Sequence, residues 1–357
     1  MSWVLTIAGF AALIVLHEFG HFAVAKAVGM RVERFALFFP PLLVKVRRGE
    51  TEYGIGAIPL GGYVRISGMN PHEELPPEVQ PRAYFRQPPW KRIVVIAAGP
   101  AMNILIAFLI LWILFWVNGL AEPTHGVSSV ALRPPASQVL QPGDRIVAID
   151  GHGGSVDTIR AQIGRHRCAG PQRQGCLAAT PARVTVRRHG RLVTVSVRPR
   201  YDPGAARMLI GFSFATRTTP VGPGRAAHLS LDSMWRVTKG TVTAIARIFD
   251  PQQRKQISGV VGTSEALQQT FRYDVTQAFV VLAIISLSLA IVNLFPFLPL
   301  DGGHIFWALA EKVRGRPIPF SVMERAGVVG FLLVVLLFVI GLTNDIDRLR
   351  GEGIRVR

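Results

Sequence analysis

His17 and His21 stand four residues apart with Glu18 beside the first, in the stretch VLHEFGHFAVAK from Val15 to Lys26. On a helix that spacing stacks both imidazoles on one face, with the glutamate next to them. Two neutral imidazole nitrogens can hold Zn²⁺, and an adjacent carboxylate can take a proton from water. The residues around this HExxH motif are apolar from Trp3 to Met30. Ionisable groups inside a segment of membrane-spanning length are costly there and point to function by default. The competing reading is a structural polar cluster between helices.

A catalytic zinc takes a third protein ligand and keeps one position open. Val24 and Ala27 stand where the metzincin pattern needs Gly and His. Glu33, Glu50 and Glu52 lie close in sequence, but in a polar loop without helical patterning. Asp301 is the better candidate. It ends the apolar run of NLFPFLPLDGGH, Asn293 to His304, with nothing nearby in sequence to neutralise it. Pro296 and Pro299 interrupt that segment, and freed backbone is tolerated in a membrane only where protein buries it or a cavity receives it. At about 1.5 Å per residue, His17 and His21 lie roughly 21 and 27 Å beyond Trp3, toward the far side of a core about 30 Å thick. A third span running in the same direction brings Asp301 to the same level. His304 is an alternative ligand.

Four apolar runs must position these groups: Trp3 to Met30, Ile93 to Val117, Ala278 to Leu300 and Ala326 to Leu342. Each is long enough to cross a bilayer, the last one barely. The chain of 357 residues, 49% of them hydrophobic, therefore reads as a polytopic α-helical membrane protein with four transmembrane helices, over 1–30, 92–118, 276–304 and 326–343. No basic n-region precedes the first run and no small-residue cleavage site ends it, which argues against a signal peptide. The net charge of +18 would suggest nucleic acid in a soluble protein; beside spans it suits anionic lipid, and no nucleic-acid partner is expected. Lys26, Arg31, Arg34, Lys45, Lys91 and Arg92 place the 31–91 loop in the cytoplasm, and Lys312, Arg314 and Arg316 place 305–325 there too. The N-terminus and the long 122–275 segment are then extracytoplasmic.

Within the first loop, Tyr53, Ile55 and Ala57 alternate with polar residues and glycine, and Gly61-Gly62 supplies a turn, so a hairpin or small sheet is expected. The outer segment carries LQPGDRIVAIDG, Leu140 to Gly151, and an alternating hairpin pattern from Ala182 to Arg200 around His189-Gly190. Together these look like an inserted PDZ domain over 122–202, a fold that binds extended peptide ends by strand addition. A connecting region follows over 203–275. Its apolar positions from Ala226 to Phe249 have helical spacing, which fits an amphipathic helix on the membrane surface or against the β domain. Cys168 and Cys176, outside the cytoplasm, would close a small disulfide loop or remain two thiols.

HExxH in the first span, GPAMN opening the second, a PDZ-like insertion and NLFPFLPLDGG in the third resemble the site-2 protease family of intramembrane zinc metalloproteases, of the bacterial RseP/RasP type with a single PDZ domain. The resemblance implies one zinc per chain bound by His17, His21 and Asp301, with Glu18 as general base. It also implies that Asn293 holds the substrate or the oxyanion, and that the strands from Tyr53 to Ile66 clamp the substrate, with Tyr53, Ile55 and Ala57 contacting it. The segment ISGVVGT, Ile257 to Thr263, has Val260 where that family usually carries proline. The implied function is regulated intramembrane proteolysis in the bacterial plasma membrane. Its partners would be lipid and single-span membrane proteins, such as anti-sigma factors or remnant signal peptides. Two rivals are a noncatalytic PDZ scaffold, for which Glu18 is dispensable, and a membrane-anchored zincin cleaving soluble peptides, for which Asp301 is dispensable.

Overall fold

The computed structural model describes residues 2–70, 72–130, 139–171, 173, 175–202, 207–246, 260–316 and 318–350. The chain forms two compact units, one of residues 1–115 and 223–357 and the other of 116–222.

In the first unit, α1 (Ser2–Ala27), α2 (Pro89–Asn118), α6 (Val275–Asn293) and α8 (Phe320–Arg350) carry stretches long and apolar enough to cross a membrane. Their outward residues are apolar as well: Ile7, Val328, Phe331, Leu332 and Leu336 are all more than half exposed. So broad an apolar exterior fits lipid as the surrounding solvent. Ala107 and Leu111 of α2 pack with Ala283 and Leu287 of α6. Leu13 of α1 packs with Leu282 of α6 and with Leu267 of the short helix α5 (Val260–Tyr273). The third apolar run is not one helix to His304. It stops at Asn293, turns through 294–300 and resumes as α7 (Asp301–Arg314). Pro296 and Pro299 cause the break, since proline lacks the N–H the helix needs.

The amphipathic segment forms α4 (Pro223–Ala246), and its last expected residues, 247–249, lie outside the described ones. Met234 of α4 packs with Ala107, Leu111, Ala283 and Leu287, whereas Leu231 and Trp235 face outward. Its buried side therefore lies on two long helices. The ISGVVGT segment falls partly at the start of α5, with 257–259 outside the described residues.

Between α1 and α2, two long strands, β1 (Val32–Arg48) and β2 (Thr51–Ile66), each bend and pair twice. Residues 42–48 pair with 51–56 (Val44↔Ile55, Val46↔Tyr53), and 51–58 also pair with 34–39 (Phe35↔Tyr53, Leu37↔Ile55). Residues 32–37 pair on their other side with 62–66 (Leu37↔Gly62, Phe35↔Val64). The result is four lanes in the order 42–48, 51–58, 32–39, 62–66. Tyr53 and Ile55 are bonded on both flanks, and the free edges belong to 42–48 and 62–66. Tyr53 and Ile55, expected to contact substrate, therefore have no free backbone edge to offer it. Tyr53 instead joins Phe22 and Phe35 in an aromatic cluster that seats the sheet on α1.

The second unit holds a five-stranded sheet in the order β6-β5-β4-β3-β9, with β3 Leu120–Val130, β4 Arg145–Ile149, β5 Ala182–Arg188, β6 Arg191–Val197 and β9 Phe212–Thr219. A short hairpin, β7 (Arg200–Asp202) and β8 (Arg207–Leu209), and the helix α3 (Val156–Arg165) complete it. Ile146, Ile149, Ile159, Val184 and Val186 fill its core. Asp144 of the GDRIVAIDG stretch is buried against Arg188, with Nε to Oδ1 and Nη2 to Oδ2 both 2.8 Å, and this pairing holds its carboxyl below the usual range. Cys168 and Cys176 are joined as a disulfide.

Candidate metal centre

HExxH forms where α1 meets α2. The two helices run in opposite directions, and Val95, Gly99 and Asn103 fall on one face of α2 at four-residue steps. A Cβ at Gly99 would collide with the imidazole of His21, so only glycine lets the helices close around that ring. Pro100 beside it removes one backbone hydrogen bond of α2 at the same level. Both histidines are buried.

Asp301, first residue of α7, reaches the same place from the proline-broken turn. His17 Nε2 and His21 Nε2 are 3.3 Å apart, and Asp301 Oδ2 lies 3.3 Å from the first and 3.4 Å from the second. Among the described residues this is the cluster of three or more His, Cys, Asp or Glu side chains whose ligand atoms converge. His304 is outside it.

The shape of the triangle tests it as a zinc site. Ligands at about 2.0–2.1 Å around a tetrahedral ion are about 3.3 Å from one another. The three observed edges match that figure. Asp301 Oδ2 is also buried without a hydrogen-bond partner, as expected of an oxygen reserved for a cation. His21 Nδ1 lies 2.9 Å from the carbonyl of Val95, and a carbonyl can only accept. The ring proton of His21 therefore sits on Nδ1, and the lone pair of Nε2 faces the other two ligand atoms. The residues fit zinc, with a fourth position left for water or substrate.

Glu18 interacts electrostatically with His21, His17 and Asp301, and a Cβ at Gly62 would strike its side chain. The free-edge lane 62–66 of the sheet thus passes directly over the carboxylate. Asn293 sits at the last turn of α6, half-buried, one loop before Asp301. The nearby glutamates are engaged elsewhere. Glu33 accepts from Ser67 Oγ (2.8 Å) and pairs with Arg65 (3.0 Å), and Glu52 pairs with Arg34 (2.9 Å). Glu50 is held by Arg82 at 2.7 and 2.9 Å and by Lys26 at 2.7 Å, which brings its pKa down to about 2. A loop carboxylate as third ligand therefore finds no support in the geometry.

The family model described as Peptidase family M50 matches residues 5–337. The chain belongs to this family, the site-2 proteases. Among its relatives is zinc metalloprotease Rip1 of Mycobacterium tuberculosis, 31% identical over 380 residues that cover 92% of this chain and 91% of Rip1. A Nostoc protein named as a candidate zinc metalloprotease is 29% identical over 367 residues, covering 99% and 98% of the two chains. The chain is a zinc metalloprotease, and among the described residues four helices are suited to a membrane.

The residues left without a role by the sequence lie on α2, with Gly99 and Asn103 inside the GPAMN motif. Asn103, Gly99 and the carbonyl of Val95 surround the histidines, yet none belongs to HExxH or DGG. Asn103, a polar residue within an apolar run and four positions after a glycine, was the available signal.

Proposed function

We propose that this protease cuts substrate segments within or beside the membrane, with His17, His21 and Asp301 as its zinc ligands and Glu18 as its general base. The observation that carries the reading is the triangle of ligand atoms with edges of 3.3–3.4 Å, built at the ends of apolar helices. Bound there, zinc supplies a Lewis acid for the scissile carbonyl and makes water acidic enough to deprotonate near neutral pH. Glu18 receives that proton and returns it to the leaving amine. Asn293 stands at the end of α6, before the turn that leads to Asp301, and we assign its amide to steadying the substrate carbonyl.

A helical substrate must first unwind, because its carbonyls are engaged in internal hydrogen bonds. The free edge at 62–66 offers replacement partners by strand addition, next to the carboxylate that performs the chemistry. This reassigns the clamp from Tyr53, Ile55 and Ala57 to Gly62 through Ile66. We read the 116–222 unit, a five-stranded sheet with one helix and a short hairpin, as a PDZ-like domain and assign it the screening of substrate ends outside the cytoplasm. A disulfide there agrees with an oxidising compartment. The N-terminus lies on the same side, and single-span proteins such as anti-sigma factors or remnant signal peptides are the proposed substrates.

The test is cleavage of a single-span substrate by the purified protein in lipid vesicles. Cleavage should vanish on zinc chelation and return with zinc. Glu18→Gln should keep one zinc per chain and lose at least about a hundredfold in rate, as expected of a general base. Full cleavage by Glu18→Gln would remove Glu18 as the general base, and full zinc occupancy in Asp301→Ala would remove the third ligand.

A further inference from the structure

The two histidines are not held alike. His21 Nδ1 faces a backbone carbonyl, which fixes its proton. His17 Nδ1 faces the side-chain amide of Asn103 at 3.1 Å, and an amide can present either an N–H or an oxygen. The two ends of the amide exchange by a half-turn and fill the same space, so chemistry must choose between them.

With the NH₂ toward the ring, Nδ1 must accept. The proton of His17 then moves to Nε2 and points into the ligand triangle. Asp301 Oδ2 receives no hydrogen bond there, and Asn103 Oδ1 is left buried with no donor. With the oxygen toward the ring, Nδ1–H donates to Asn103, the buried oxygen is satisfied, and the lone pair of Nε2 turns toward Asp301 and His21. A metal requires the second arrangement, because only an unprotonated Nε2 can be a ligand.

We infer that Asn103 is a positioning residue: its amide oxygen accepts the Nδ1 proton of His17 and aims the ring's free nitrogen at the metal. The side chain is fully buried, and its own backbone carbonyl accepts from Ser286 Oγ at 2.9 Å, Ser286 being fully buried on α6. Asn103 thus links three apolar helices: α1 through His17, α6 through Ser286, and its own α2. The inference rests on the ligand set proposed above and deepens it.

The experiment uses the full-length protein in detergent and measures zinc affinity by competition with a chelator, without substrate. Asn103→Leu keeps the size and removes the acceptor; Asn103→Asp keeps an oxygen at the same place. Asn103→Leu should bind zinc 10- to 100-fold more weakly, the usual effect of losing a partner behind a ligand. Asn103→Asp should bind at least as tightly as the wild type. Ser286→Ala, which alters only the backbone tie, should change zinc affinity less than about threefold. Thermal unfolding of each metal-free variant reports on folding separately. Wild-type affinity in Asn103→Leu overturns the inference, and so does a folded Asn103→Asp that has lost zinc, which decides the matter even if the leucine variant does not fold. A wild type that takes up no zinc removes the ligand set itself, a result distinct from variants that bind as the wild type does.

Discussion

Gly62 shows how closely the proposed general base is packed. A side chain there would enter the volume of Glu18, so the smallest substitution, Gly62→Ala, should push the carboxylate aside. Displacing a catalytic group by about 1 Å costs on the order of a hundredfold in rate. The expected outcome is a kcat lowered by roughly that factor with zinc content unchanged, read by steady-state cleavage and metal analysis of one preparation. A kcat within about twofold of wild type would show that the strand withdraws from Glu18 before reaction. At this scale the sequence was largely legible. HExxH and DGG stand out by local spacing, so His17, Glu18, His21 and Asp301 could be proposed as a site directly, and the structure brings His17, His21 and Asp301 together. GPAMN and the Gly61-Gly62 turn marked Asn103, Gly99 and Gly62 but not their roles, which exist only where two distant segments touch.

The four-lane sheet illustrates the same limit among elements. Alternation from Tyr53 onward identified strand, but it could not say which lane would be an edge. Pairing order depends on β1 and β2 each bending, and the bends leave Tyr53 and Ile55 enclosed between two neighbours. The third apolar run went further, since the prolines that break it were visible and the break fell beside them. A prediction tests the edge. Neighbouring residues of a strand direct their N–H groups to opposite sides, and proline has none to direct. Of Tyr63→Pro and Val64→Pro, the variant that loses the outward N–H should remain folded and zinc-loaded yet cleave single-span substrates at least about tenfold more slowly, one to two backbone hydrogen bonds' worth. The other should destabilise the sheet itself. Equal cleavage by two folded, zinc-loaded variants would exclude strand addition at this edge.

The second unit is an insertion whose two ends meet. Leu120 at its start pairs with Thr219 at its end, through the β3–β9 ladder. Removing 120–219 and joining the flanks by a short Gly-Ser linker therefore asks little of the chain on either side. The truncated protein should retain one zinc, since every proposed ligand and Asn103 lie in the other unit. It should also cut substrates with folded outer domains that the intact protein refuses. Loss of cleavage toward every substrate, short ones included, would give the insertion a part in the reaction and not only in choosing what enters.

The proposed ligands come from distant parts of the chain, and translation runs from one end. His21 is made 280 residues before Asp301. At about 5–20 residues per second, that is roughly 15–55 s during which the first two ligands exist without the third. Throughout that interval a growing chain would carry HExxH without the residue proposed to complete the site. With the proposed ligand set, the order of the segments would leave the protease without a complete site while it is being made. A permuted chain that delivered the DGG turn first would lose that delay.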